Sequence, residues 1–325
     1  MPLLLAAVPI AVFAVAFGAS VAYFRITDGT VARSAGADQA PRPSGNAPGV
    51  ATGGGRLLVA LRTGDGVYGY LASVRVDGSE LRSVTKPQTG DIKVAVAAPA
   101  VSPDGRLVAF HRAVAAPDRP VPPFVYIIGM DGSGLRRLTE GRETEIEPAW
   151  SPDGTKIAFA REVDGAFDLF VWSASGLTRL TDTAADELGP AWSPDGTRIA
   201  FARYDQGVDT GSADLWIASA DGTAEMPILE SNRDESTPAW SPDGKRIAYL
   251  QDGGVAIVNA DGTAPRSLTE GGSLREGRPA WSPDGSRLAF TRDPGELFIL
   301  TVRGSTLSKV PLDLPATDVA WELAG

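Results

Sequence analysis

The sequence predicts an all-β protein, a six-bladed β-propeller closed by a blade shared between the two ends of the chain. Three observations carry that reading. The tetrapeptide Ser-Pro-Asp-Gly starts at Ser102, Ser151, Ser193, Ser241 and Ser282, at spacings of 49, 42, 48 and 41 residues. Each copy is followed by short runs of apolar, β-branched and aromatic residues. The two ends of the propeller region carry complementary pieces of one more unit. Self-similarity at a fixed period of this size marks a repeat architecture.

Each repeat reads as four strands in order. The first ends in Pro-Ala-Trp at 148–150, 190–192, 238–240 and 279–281, with Pro99-Ala100-Val101 in the remaining copy. The tetrapeptide then turns the chain. Pro presets φ for the first central position of a type I turn, Asp suits the next, and Gly takes the left-handed position that closes a bulged hairpin. The second strand follows as RLVAFHR, TKIAFAR, TRIAFAR, KRIAYLQ or SRLAFTR, and the third as PFVYIIGM, DLFVWSAS, DLWIASA, GVAIVNA or ELFILTV. Such runs favour extended chain. A turn, often Asp-Gly-Ser or Asp-Gly-Thr, leads to a last strand such as LRRLT or PRSLT. One such sheet has two apolar faces and cannot bury both alone; radial stacking buries them.

Blade count depends on the ends. Residues 55–85 match the second, third and fourth strands of a unit, with no first strand before them. At the other end ATDVAWE, residues 316–322, matches a first strand with nothing after it, and Trp321 lies 40 residues beyond Trp281. Together they complete a sixth blade and join the edges of an otherwise open ring.

The combination of Pro-Ala-Trp-Ser-Pro-Asp-Gly, Ile-Ala-Phe, Asp-Gly-Thr and Leu-Thr resembles the repeat of TolB-type propellers, from Gly55 to Trp321. The resemblance implies a periplasmic or extracellular scaffold that binds proteins, peptides or cell-envelope components. The same repeat builds the propeller of prolyl-oligopeptidase-like peptidases, so fold alone does not fix function. In those relatives catalysis resides in an α/β-hydrolase domain. The chain has no Gly-x-Ser-x-Gly nucleophile elbow, and the repeats leave no residues to build that domain. It also lacks the N-terminal α/β domain that TolB itself carries, which argues against a Tol-system role.

In place of that domain stands PLLLAAVPIAVFAVAFGASVAYF, residues 2–24, with no charge. A helix of this length covers ~34 Å, enough for a bilayer core. The expectation is therefore an anchor or signal segment over 1–24, a Gly/Ala/Pro/Ser-rich linker over 25–54 and a propeller over 55–325. Positive-inside logic, with Arg25 following the segment, puts the C-terminal side in the cytoplasm. The family resemblance implies export instead, and the expectation adopted is a single-pass membrane protein with its propeller facing the periplasm or the extracellular side.

Composition narrows the chemistry. A net charge of −10 disfavours nucleic acid as a partner. There is no Cys and a single His, His111, so thiolate and multi-histidine metal sites are excluded. His111 reads as a partly exposed side chain at the edge of a Pro-rich loop, residues 111–123. The five Asp of the tetrapeptides read as turn-formers, so no metal, cofactor or catalytic residue is expected. A carboxylate or calcium site in the channel of a hydrolase or lyase is the alternative.

The candidate site is a ring of charge. Three residues before each Pro of Pro-Ala-Trp stand Glu145, Glu187, Glu235 and Glu276. At the end of the second strand stand Arg112, Arg161, Arg203 and Arg292, with Gln251 in the remaining repeat and Arg62 in the composite one. Glu145/Arg161, Glu187/Arg203 and Glu276/Arg292 each lie eight residues either side of the turn's Asp, so each pair should face across two strands. Two readings stay open: cross-strand ion pairs of the fold, or a charged mouth that binds a partner. Glu235, opposite Gln251, is expected to be the carboxylate most available to a ligand. A second long loop, residues 204–213, belongs to the same rim.

Overall fold

Six antiparallel sheets are arranged around one axis in the computed structural model. It describes residues 16–17, 20–21, 49–50, 54–63, 69–86, 93–115, 121–204, 212–270, 277–293 and 295–322. The first strands of five blades are Lys93–Val101, Glu145–Trp150, Asp186–Trp192, Glu235–Trp240 and Ala280–Trp281. Each continues through its second, third and fourth strands as a meander, and these blades are numbered 2 to 6. Blade 1 is composite: Ala316–Trp321 pairs antiparallel with Arg56–Arg62, which leads to Gly69–Arg75 and Arg82–Ser83. Successive first strands touch one another around the axis, and that of blade 1 touches that of blade 2, so the ring is closed.

The Ser-Pro-Asp-Gly turns form one rim. In each, the Ser hydroxyl donates to the Asp carboxylate at 2.5–2.6 Å. The same carboxylate accepts the backbone N–H two residues on. The Gly has φ of 67–72°. These bonds hold the five Asp below the usual carboxylate range, the Ser hydroxyl being the largest cause. They are turn-formers, as the sequence indicates.

Pro-Ala-Trp joins blades at depth. Trp192, Trp281 and Trp321 donate their indole N–H to the carbonyls of Ala149, Ala239 and Ala280 in the preceding blade. Arg198, Arg246 and Arg287 of the preceding blade lie 4.7–5.0 Å from the Trp240, Trp281 and Trp321 rings. Between the sheets sit apolar clusters such as Ala109, Val125, Ile127, Ile157, Phe159 and Phe170, at the boundary of blades 2 and 3. The fold thus buries both faces of every sheet, as radial stacking requires.

Two details depart from expectation. The second strand of blade 2 runs to Ala115 and the third begins at Val121, so the Pro-rich loop is shorter than its sequence suggests. Gly49–Val50, inside the stretch read as a linker, pairs in parallel with the outer strand Thr306–Val310 of blade 6. Most of the apolar segment 2–24 lies outside the described residues; Ala16–Phe17 and Ser20–Val21 within it pair antiparallel. Among the described residues no helix is long and apolar enough to cross a membrane.

Candidate functional site

The rim opposite the tetrapeptide turns is where first strands begin and second strands end. Register there agrees with the sequence: Glu145 faces Arg161, Glu187 faces Arg203 and Glu235 faces Gln251. Arg112 faces Val96 and lies 5.3 Å from the Tyr126 ring. Arg292 lies 4.9 Å from the Phe298 ring, and its counterpart Glu276 falls outside the described residues.

These glutamates are latches between blades, fully or almost fully buried. Glu145 accepts hydrogen bonds from Arg161, from Thr139 Oγ1 and, at 3.4 Å, from the Val125 amide. Thr139 and Val125 belong to the preceding blade. Glu187 repeats the arrangement, with Thr181 Oγ1 at 2.8 Å, Thr183 Oγ1 and Arg203 Nε at 3.0 Å. Arg203 also pairs with Glu225. Burial pushes the Glu187 carboxyl up even so. Glu235, expected to be the carboxylate most available to a ligand, is buried like the others, at 1% exposed. Ser231 Oγ donates to its Oε1 at 2.6 Å and Gln251 Nε2 reaches the same atom at 3.4 Å. Its Oε2 is buried with no hydrogen-bond partner, and burial pushes this carboxyl up as well.

What faces the axis is a different set, two residues further along each first strand. A bulge interrupts the register just before Pro-Ala in blades 2 to 5. The residue before Pro there adopts positive φ: Ala98 at 48°, Glu147 at 57°, Gly189 at 66° and Thr237 at 48°. Arg278 and Asp318 hold the matching positions in blades 6 and 1. The Pro-Ala-Trp that follows recurs in four blades, whereas this position is different in all six.

The axial side chains meet across the channel. Glu147 of blade 3 and Arg278 of blade 6 lie on opposite sides of the ring. Glu147 Oε1 is 3.2 Å from Arg278 Nη2, close enough for an ion pair, yet Nη2 lacks an aligned hydrogen-bond partner. Glu147 Oε2 accepts the Gly189 amide at 2.6 Å, and Asp318 Oδ2 accepts the Ala98 amide at 3.2 Å. Thr237 Oγ1 is buried and unpartnered. Burial raises the Asp318 carboxyl to about 6, against the opposing pull of Arg278.

His111 belongs to this cluster, which corrects its reading as a loop-edge side chain. It is 6% exposed, and its Nδ1 accepts the Glu147 amide at 3.2 Å. Burial, reinforced by Arg278, lowers its pKa to about 3, so the imidazole is neutral. The site therefore combines a cation, two carboxyl groups, a neutral imidazole and a free hydroxyl at the centre of a rigid ring. Among the described residues no group of three or more His, Cys, Asp or Glu could hold a metal ion. These groups can donate and accept hydrogen bonds and present charge of both signs.

Comparison with known proteins agrees with this architecture. Residues 71–211 match the TolB beta propeller domain family. Dipeptidyl-peptidase 5 of Porphyromonas gingivalis is 34% identical over 73 residues, 22% of this chain and 10% of that protein, so the chain covers only a small part of that relative's length. The crystal structure of TolB from Acinetobacter baumannii superposes with a TM-score of 0.66 at 21% identity, over 82% of this chain and 66% of that one. A chain of a nidogen/laminin complex superposes at 0.65 and 11% identity, over 83% of this chain and 99% of that one. At such identities the solved structures speak for the fold. On its repeat, its closed ring and these likenesses, the chain is a six-bladed β-propeller similar to that of TolB, with residues 71–211 matching the TolB beta propeller domain.

Proposed function

We propose that this propeller is an extracytoplasmic binding scaffold, carried on the apolar segment 1–24, that engages a protein, peptide or cell-envelope partner at the rim around Glu147, Arg278 and Asp318. It acts by recognition and not by catalysis. The contrast between the two rims carries this reading. One rim is built from five copies of the same turn, whose Ser and Asp side chains bond to one another. The other surrounds six unlike axial residues, with Thr237 Oγ1 unpartnered and Arg278 Nη2 in an ion pair with Glu147 but without an aligned hydrogen bond. Six unlike side chains at one equivalent position of a repeated fold are where specificity can be placed. Protein recognition also fits the solved relatives, one of which was determined as a nidogen/laminin complex. The likeness to dipeptidyl-peptidases spans 73 and 116 residues, at most 17% of those proteins, and does not carry their activity to this chain.

Placement outside the cytoplasm is tested by fusing, after Gly325, a reporter enzyme active only beyond the membrane. Activity is expected. An inactive fusion, with a cytoplasmic reporter active at the same position, overturns the placement. The rim itself is tested by photo-cross-linking from position 142, where a discrete adduct is expected, against position 245 on the opposite rim.

A further inference from the structure

Blades 3, 4 and 6 share a device at the end of the second strand. An arginine stands there over an aromatic ring of the third strand: Arg161 over Phe170, Arg203 over Trp216 and Arg292 over Phe298. Directly opposite each arginine on the third strand is an acid, Asp168, Asp214 or Glu296. In blades 3 and 4 the arginine also reaches the buried first-strand glutamate. In blades 3 and 4 the guanidinium thus sits between an aromatic ring and a buried carboxylate.

Blade 5 keeps the glutamate and lacks the rest. Gln251 stands in the arginine's place, Gly254 in the acid's place and Ala256 in the ring's place. Two side chains are therefore missing side by side at the rim. An open cavity of about 440 Å³ lies there, lined by Gln251, Gly254, Asp252, Ser267, Thr269, Glu270 and Arg233. Behind it Glu235 Oε2 is buried with no partner, and so is the Tyr249 hydroxyl, where blades 3, 4 and 6 have Phe159, Phe201 and Phe290. Gln251 links the cavity to the carboxylate. Its Nε2 lies 3.4 Å from Glu235 Oε1, and its Oε1 accepts from Ser267 at 3.2 Å and from Arg233 at 3.3 Å. Arg233 itself is half exposed at the cavity mouth, 3.6 Å from Asp252.

From this comparison of the blades with one another, we propose that the blade 5 cavity is a socket for an arginine side chain of a protein partner. The guanidinium takes the place that the other blades fill with their own arginine, bonding to Gln251 Oε1 and Asp252 in front of the uncompensated Glu235. A planar donor fork suits such closely spaced acceptors better than an ammonium does. Arg233 occupies those acceptors in the free protein and is displaced on binding. The proposal rests on the reading of this rim as the binding face, and it names one contact of that face.

The probe is arginine amide, with norleucine amide as the neutral control, titrated into the whole protein while heteronuclear NMR shifts are followed. Saturable binding of arginine amide is expected, with shifts centred on Gln251, Gly254 and Ser267, and none for norleucine amide. Gln251→Arg supplies the missing cation from within, so it should abolish binding and raise Tm. Gln251→Leu removes the acceptor without adding charge and should also weaken binding at least tenfold. Arg233→Ala should tighten it. No saturable binding to the wild-type protein overturns the proposal, as does undiminished binding to Gln251→Leu and Gln251→Arg. Cross-linking at the rim without arginine binding would leave the binding face standing and remove only the socket.

Discussion

Replacing Asp318 with asparagine isolates the electrostatic cost of the axial cluster. Burial raises this carboxyl from 3.8 to about 6; Arg278, the Ala98 amide and Arg62 pull the other way, and Glu147 adds to the rise. The folded state therefore holds the proton more tightly than the unfolded chain does. Stability from this group is fully present below about pH 3.8 and is lost as pH rises to about 6. The gap between those two values corresponds to roughly 3 kcal/mol. Asparagine mimics the protonated carboxyl and keeps an oxygen for the Ala98 amide. The two proteins should be equally stable near pH 4, and Asp318→Asn should gain up to about 3 kcal/mol by pH 8, or roughly 6 °C in Tm for a domain of this size. Urea and thermal unfolding of both proteins across that range give the difference curve. His111 has the opposite sign: its value is lowered to about 3, so its contribution is lost as pH falls below about 6.5. It is present in both proteins, so to first order it cancels in the difference. A difference that is flat with pH, or a wild-type protein that is the more stable at pH 8, refutes the reasoning.

Further predictions concern the latches. Trp321→Ala removes a side chain 6% exposed, its hydrogen bond to Ala280 and its stacking with Arg287, and should cost about 3–5 kcal/mol in denaturant unfolding; a loss below 1 kcal/mol contradicts closure through this strand. Glu187→Gln should destabilise by about 2–3 kcal/mol, because three donors meet a carboxylate there and Arg203 keeps only Glu225. Glu235→Gln should be neutral or stabilising at pH 7, since one of its oxygens has no partner; equal losses in the two variants would remove the distinction. Gly189→Ala should cost only about 1 kcal/mol despite the positive φ, because alanine, glutamate and threonine occupy the same conformation in sibling blades and an added Cβ meets nothing closer than 3.5 Å. Loss of folding in that variant would count against the equivalence of these positions.

The parts of the fold legible in the sequence are those set by local pairing. The turn tetrapeptide gives the hairpin, and the constant sum of residue numbers across it places Glu145 opposite Arg161 and Glu187 opposite Arg203. Composite closure follows from counting strands, and Ala316–Trp321 lies beside Arg56–Arg62. Burial of the glutamates was not legible from register, because it depends on the neighbouring blade. A signal did exist in the Leu-Thr that precedes Glu145 and Glu187 by six residues, since Thr139 and Thr181 supply the hydroxyls. The axial residues escaped because a bulge breaks the alternation by which facing is read. Their mark in the sequence is the failure to repeat: Ala98, Glu147, Gly189, Thr237, Arg278 and Asp318 precede positions that are otherwise shared. His111 was misplaced because a strand extends past it to Ala115, and the next blade covers it.

The most direct test of the binding face is photo-cross-linking in cells that make the protein. A photoreactive residue replaces either Arg142, exposed on the rim around Glu147, Arg278 and Asp318, or Lys245, exposed just after a tetrapeptide turn on the opposite rim. The account predicts a discrete adduct from position 142 and none from position 245. An adduct from 245 with none from 142 contradicts it.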